Sequence, residues 1–153
     1  MLNGKKIVVT GCASGIGKEV ARLIKEAGGY VLGVDLSVTD DYVDELYRAD
    51  LSDPDSIRDL IHVLPRGIDG LANVAGLPPT KPAAKVLAVN YVGLKALTVG
   101  LVPKMADGAS IVNVASLAGI GWPNMVSSIL ESESLAFEDI EQFVKTHDAG
   151  DAG

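Results

Sequence analysis

Short apolar runs alternate along this chain with segments in which apolar residues return every three or four positions. "KKIVVT" (5–10), "YVLGVD" (30–35), "ELYRAD" (45–50), "GLANVAG" (70–76) and "ASIVNVAS" (109–116) have strand length, and the third is the weakest of them. After the first run, "GIGKEVARLIKEAGG" sets Ile16, Val20, Leu23, Ile24 and Ala27 at one-face helical spacing, with Gly28-Gly29 as the stop. "SDPDSIRDLIHVLP" carries a stripe of Ile57, Leu60, Ile61 and Leu64, with Ser52 or Asp53 as its cap and Pro54 in its first turn. "AAKVLAVNYVGLKALTVGLVPKM" reads as one long helix before the fifth strand. Strands alternating with helices build parallel β-α-β units. Near-continuous apolar strands need cover on both faces. The expected fold is therefore α/β, a doubly wound parallel sheet, which binds ligands at the carboxyl ends of its strands.

Two regions follow from this order. Residues 1–116 form the sheet domain. Residues 117–153 differ in character: a loop "LAGIGWPN", the amphipathic "SESLAFEDIEQFVKTH" and the small polar tail "DAGDAG". The fifth strand is expected at the sheet's edge, apolar and uncovered, which is an aggregation hazard.

Composition narrows the partners. A net charge of -7 argues against nucleic acid, which demands clustered Lys and Arg. The longest apolar run, around "IVNVASLAGIGW", is too short and too rich in Gly to span a membrane. The N-terminus enters a strand without a signal-peptide layout, so a soluble, cytoplasmic protein is expected. The single cysteine, Cys12, has no intrachain partner. His62 and His147 stand far apart without Cys neighbours, so no metal site is expected, and His62 falls on a solvated face.

The strongest local signal is "TGCASGIG" (10–17), between the first strand and the first helix. Gly11 allows the tight turn, Gly15 leaves room for a pyrophosphate, and Gly17 lets the helix pack close to the sheet. The helix N-terminus then offers free N–H groups to the phosphates. No "GK[ST]" follows, so this is not an ATPase loop. Asp35 ends the second strand at the distance where a carboxylate accepts hydrogen bonds from the adenosine ribose and repels a 2′-phosphate. Cys12 stands where a basic residue would have helped a 2′-phosphate. Both point to NAD rather than NADP. A plainer role for Asp35 is to start the turn at Leu36-Ser37.

These residues resemble the short-chain dehydrogenase/reductase family. "TGCASGIG" is similar to its TGxxxGxG loop, which implies cofactor contacts at Gly11, Ser14, Gly15, Ile16 and Gly17. "ADL" (49–51) is similar to its adenine-contacting pair, here Asp50 and Leu51. "NVAG" (73–76) is similar to its NNAG strand end, which adds Asn73, Ala75 and Gly76. Asn90 resembles the family's helix Asn, which holds a water of the proton relay. Ser116 resembles the Ser that polarises the substrate oxygen. The short stretch 77–89, the "VNYVG" wording and a helical insertion after Ser116 are most similar to the bacterial NAD-dependent 3α-hydroxysteroid dehydrogenases/carbonyl reductases. The resemblance implies a Rossmann fold, NAD as cofactor, interconversion of a secondary alcohol and a ketone, a steroid substrate and a homodimer or homotetramer.

One feature breaks the match. The family's catalytic Tyr-x-x-x-Lys follows its Ser, yet residues 117–153 contain no Tyr. Tyr91 and Lys95 have the right spacing, about 6 Å apart along a helix axis. They precede Ser116, however, and Tyr91 is turned about 100° from Asn90. They are expected to be a packed Tyr and a solvated Lys. The true pair is expected beyond Gly153, with Trp122 and the face Leu135, Phe137, Ile140 and Val144 either covering substrate or packing on the domain. The alternatives are a non-catalytic NAD-binding module and, more weakly, a sugar-nucleotide epimerase.

Overall fold

The computed structural model describes residues 2–147, so the tail "DAGDAG" lies outside the described residues. Five strands form one parallel sheet in the order β3-β2-β1-β4-β5: β1 Lys6–Thr10, β2 Tyr30–Asp35, β3 Glu45–Arg48, β4 Ile68–Asn73 and β5 Met105–Asn113. Successive side chains of a strand point to opposite faces. Val8 therefore joins a core with Leu32, Leu71 and the helices α2 (Pro54–Val63) and α4 (Leu94–Leu101), while Val9 and Val31 join another with α1 (Gly15–Glu26). Helices on both faces make the sheet doubly wound, as the apolar strands require.

The stripe of α1 differs from the expected one. Gly17, Ala21 and Ile24 are buried, whereas Ile16 and Leu23 are 63% and 50% exposed. The close approach at Gly17 rotates the helix so that Gly17, Ala21 and Ile24, not Ile16 and Leu23, meet the sheet. The stripe of α2 is as expected: Ile57, Leu60 and Leu64 are buried, Ile61 is half-buried and His62 is exposed. Asp53, not Ser52, caps α2 by accepting the N–H of Asp55 at 2.9 Å.

The long helix, Ala83–Lys104, is continuous but not uniform. Helix α3 (Ala83–Leu87) passes into a π turn at Ala88–Gly93, then α4, then a 3-10 turn at Val102–Lys104. It spans 22 residues and is apolar enough to cross a membrane by length and composition. Its apolar character has a packing reason. Val89, Leu97 and Leu101 face the sheet, and Ala88 and Val92 face Leu135 and Ile140 on the other side. A helix buried on two faces needs apolar residues on both.

Strand β5 begins at Met105, four residues earlier than expected, and Met105 belongs to it rather than to the helix. Its register jumps between Ile68↔Met105 and Gly70↔Ser110, with Gly108 at φ +78 in the irregular stretch. It occupies the sheet's edge, and Ile111, Val112 and Val114 are 41%, 60% and 44% exposed. Strand β4 ends at Asn73, so Val74–Gly76 leave the sheet as a loop. Beyond Ser116 come a 3-10 segment, Leu117–Asn124, then α5 (Val126–Ser132), a 3-10 turn (Phe137–Asp139) and α6 (Ile140–His147). Leu135 and Ile140 are buried against the long helix, with Phe137, Phe143 and Val144 packed beside them. Trp122 remains 59% exposed.

Candidate nucleotide site

A cleft of about 410 Å³ opens at the carboxyl ends of β1, β2 and β4. Gly11, Ser14, Gly15, Ile16, Gly17, Asp35, Asp50, Leu51, Ala75 and Gly76 all line it. Asn73, the remaining residue assigned to the cofactor from sequence, does not. It is 2% exposed, and its Nδ2 donates to Thr98 Oγ1 at 3.0 Å and to Asn113 Oδ1 at 2.8 Å. Its place is inside the fold, tying β4 to α4 and β5, because β4 stops at this residue with its side chain turned inward.

The three glycines act differently in detail. Gly11 has φ +72, and a Cβ on it would lie 2.9 Å from the Ala75 Cα. A Cβ on Gly17 would lie 2.0 Å from the Gly11 carbonyl oxygen and 3.1 Å from that of Thr10, so α1 is seated on the end of β1. Gly15 has φ +51 and nothing within 4 Å of an added Cβ, because it faces the open cleft. Ser14 precedes α1 in extended conformation and its hydroxyl does not cap the helix. The first N–H groups of α1 have no intrahelical acceptor, which leaves donors at the cleft for an anion.

Asp35 accepts the N–H of Ala13 at 3.0 Å and that of Ser37 at 2.8 Å. It thus ties the glycine loop to β2 and also starts the turn after it. Each carboxylate oxygen keeps acceptor capacity for a further donor. At the next strand end, Asp50 accepts from the Ser52 hydroxyl at 2.6 Å and the Ser52 N–H at 2.8 Å. Chiefly the Ser52 hydroxyl, then its N–H and the charge of Lys85, hold this carboxyl below the usual range. Among the described residues Lys85 is the one cation in the lining, and Val89 lies one turn on.

Sequence reasoning missed Lys85, Val89 and Thr10. Buried Thr10 turns its hydroxyl to accept the N–H groups of Val74 at 2.9 Å and Ala75 at 3.0 Å, which fixes the loop after β4 as a wall of the cleft. The "TG" that opens the glycine loop was a signal for it. Cys12 is fully buried in the loop, and burial pushes its thiol up to about 11. A thiol so raised carries almost no thiolate near neutral pH.

Asn90 and Ser116 lie outside this lining. The Asn90 Oδ1 accepts the Leu77 N–H at 2.7 Å, and its Nδ2 donates to the Leu77 carbonyl at 3.0 Å. This pairing holds the loop after β4 on the long helix, and Leu77 itself lines the cleft. On its other side Asn90 lines a larger apolar groove of about 670 Å³, shared with Tyr91, Ile129 and Phe143. Ser116 is exposed and accepts the Ala118 N–H at 3.2 Å. Tyr91 packs in the core beneath α6, and the Lys95 ammonium sits 5.9 Å from its ring centroid while donating to the Glu133 carbonyl. The ammonium lies over the ring face.

Comparison with known proteins agrees with this geometry. The short chain dehydrogenase family model matches residues 5–127, and the chain belongs to that family. It is 48% identical over 122 residues to coniferyl-alcohol dehydrogenase of Pseudomonas sp. (strain HR199 / DSM 7063), covering 80% of this chain and 48% of that protein. It is 35% identical over 107 residues to 3-alpha-hydroxysteroid dehydrogenase/carbonyl reductase of Comamonas testosteroni, covering 67% of this chain and 39% of that one. The crystal structure of the 3-alpha-hydroxysteroid dehydrogenase from Pseudomonas sp. B-0831 complexed with NADH superposes with a TM-score of 0.73 at 28% identity, over 94% of this chain and 57% of that one. The chain spans about half the length of the curated relatives it matches.

Proposed function

We propose that the chain is the nucleotide-binding part of an NAD-dependent alcohol/carbonyl oxidoreductase. One observation carries the reading. A cleft at the strand ends has an open glycine, Gly15, at a helix N-terminus and a carboxylate, Asp35, at the end of the neighbouring strand. The residues present fit the cofactor. Gly11, Ser14, Gly15, Ile16 and Gly17 give a pyrophosphate close access to the backbone. Asp35 has acceptor capacity left for ribose hydroxyls, and its charge opposes a 2′-phosphate. Asp50 offers an acceptor to the adenine amino group, and Leu51 offers an apolar wall. Ala75 and Gly76 border the cleft where it meets Leu77.

A bound nicotinamide supplies hydride chemistry that no side chain can supply. The chain's own contributions are Ser116, as hydrogen-bond donor to the substrate oxygen, and Asn90, as organiser of the relay beside Leu77. A secondary alcohol of steroid type is the first substrate reading, supported by the hydroxysteroid dehydrogenases among the relatives. A second reading, an aryl allylic primary alcohol, draws on the 48% identity to coniferyl-alcohol dehydrogenase. Assembly as a homodimer or homotetramer and a cytoplasmic location belong to the same proposal. The test is titration with NADH and NADPH by nucleotide fluorescence, then turnover with a steroid alcohol and with coniferyl alcohol. Saturable NADH binding at least tenfold tighter than NADPH is expected. Equal or stronger NADPH binding would overturn the NAD assignment. NADH binding without turnover by this chain fits both the oxidoreductase and the non-catalytic module, and a Tyr-x-x-x-Lys in the sequence after Gly153 decides between them.

A further inference from the structure

A Cβ on Gly93 would lie 1.9 Å from the carbonyl oxygen of Leu51 and 2.8 Å from that of Ala88. No real side chain tolerates such contacts, and both obstacles are backbone. Gly93 closes the π turn Ala88–Gly93, and Leu51 lines the nucleotide cleft. We propose that Gly93 is a positioning residue: by admitting the Leu51 carbonyl onto the long helix, it sets the width of the nucleotide cleft at its adenine end. The inference rests on the nucleotide reading above.

The contact matters because one side of it is held in place. The Asp50–Leu51 turn is braced by three hydrogen bonds. The Asp50 N–H donates to Ser56 Oγ at 2.9 Å, and the Asp50 carboxylate holds both the N–H and the hydroxyl of Ser52. A Cβ on Gly93 therefore displaces the helix first, by roughly 1 Å or more, to restore ordinary van der Waals separation. Val89 and Lys85 stand four and eight residues before Gly93, along the same helix face. Both line the cleft, as do Asp50 and Leu51 of the turn. A helix displaced at Gly93 carries them away from the turn. If the turn yields instead, Asp50 and Leu51 themselves shift. Either response moves one wall of the cleft against the other.

Gly100 on the same helix supplies the contrast. A Cβ there would meet the Ile61 Cδ1 at 2.3 Å. That atom is the free end of a side chain on α2 that does not line the cleft, and it can swing aside.

The experiment compares the parent chain with Gly93→Ala and Gly100→Ala by NADH titration and by thermal unfolding. Both variants are expected to melt below the parent. Only Gly93→Ala is expected to weaken NADH binding, by tenfold or more, with Gly100→Ala within twofold of the parent. A purely structural role would lower the melting temperature and leave the dissociation constant in place. If Gly93→Ala does not fold, hydrogen exchange on the parent decides. NADH is then expected to slow exchange across residues 88–93 and leave residues 98–101 unchanged. A folded Gly93→Ala that binds NADH within twofold of the parent overturns the coupling alone, as does exchange at 88–93 that NADH does not alter. A parent chain that binds no NADH overturns the nucleotide reading and the coupling together.

Discussion

Replacing Thr10 with Val keeps the shape of a buried side chain and removes one oxygen. That oxygen accepts two backbone N–H groups, from Val74 at 2.9 Å and Ala75 at 3.0 Å, and the residue is 1% exposed. Leaving a buried donor without a partner costs about 1–3 kcal/mol. Both donors are part-buried, so the loss for the pair should fall near 2–4 kcal/mol. For a chain of this size each kcal/mol shifts the melting temperature by about 2–4 °C, so a fall on the order of 10 °C is expected. Thr10→Ser keeps the acceptor and loses one methyl, at a cost of about 1 kcal/mol. Urea unfolding followed by circular dichroism measures both variants. Because Val74 and Ala75 line the cleft, NADH affinity should fall with Thr10→Val and hold with Thr10→Ser. A Thr10→Val protein within about 0.5 kcal/mol of the parent, or no more perturbed than Thr10→Ser, would refute the reasoning.

Further outcomes follow from other contacts. Gly17→Ala places a methyl 2.0 Å from the Gly11 carbonyl oxygen, and NADH binding should fall by more than tenfold; unchanged affinity in a calorimetric titration would contradict the close seating of α1. Asp35→Ala loses the acceptor for Ala13 and Ser37 and should narrow the preference for NADH over NADPH at least tenfold, which paired fluorescence titrations can check. Cys12 should resist an aromatic disulfide reagent at pH 8 in the folded protein and react on unfolding, given a thiol raised to about 11 by burial; prompt native reaction would sink this. His147 bonds the Phe143 carbonyl through Nδ1 and Glu131 through Nε2 at 2.7 Å, and its pKa is raised, first by the Phe143 carbonyl and then by Glu131. The protonated ring is favoured in the folded state, so this link between α5 and α6 is complete below pH ~6.5 and lost as pH rises through the raised value. An NMR titration of the His147 ring with a midpoint at or below 6.5 would count against it.

Tyr91 and Lys95 share one helix face, with the ammonium over the ring and bonded to the Glu133 carbonyl. The informative residue of that segment was Gly93, whose role no spacing rule reveals. It depends on a carbonyl more than forty positions earlier in the chain.

Sequence alone determined the strand–helix alternation, the parallel doubly wound sheet, the exposed edge strand and most of the residues that line the cleft at the strand ends. Those features are local or periodic. A glycine loop between a strand and a helix reads from eight adjacent residues, and Asp35 and Asp50 reveal themselves as carboxylates at strand ends. Tertiary structure decided the rest. It rotated α1 so that Gly17, Ala21 and Ile24 became its core face, because a close approach outweighs the size of Ile16 and Leu23. It turned Asn73 inward to Thr98 and Asn113, where a buried amide must find partners. It brought Lys85 and Val89 to the cleft and bound Asn90 to Leu77. Each of these depends on which surface the long helix turns toward the sheet, and that is settled by packing between segments distant in the chain.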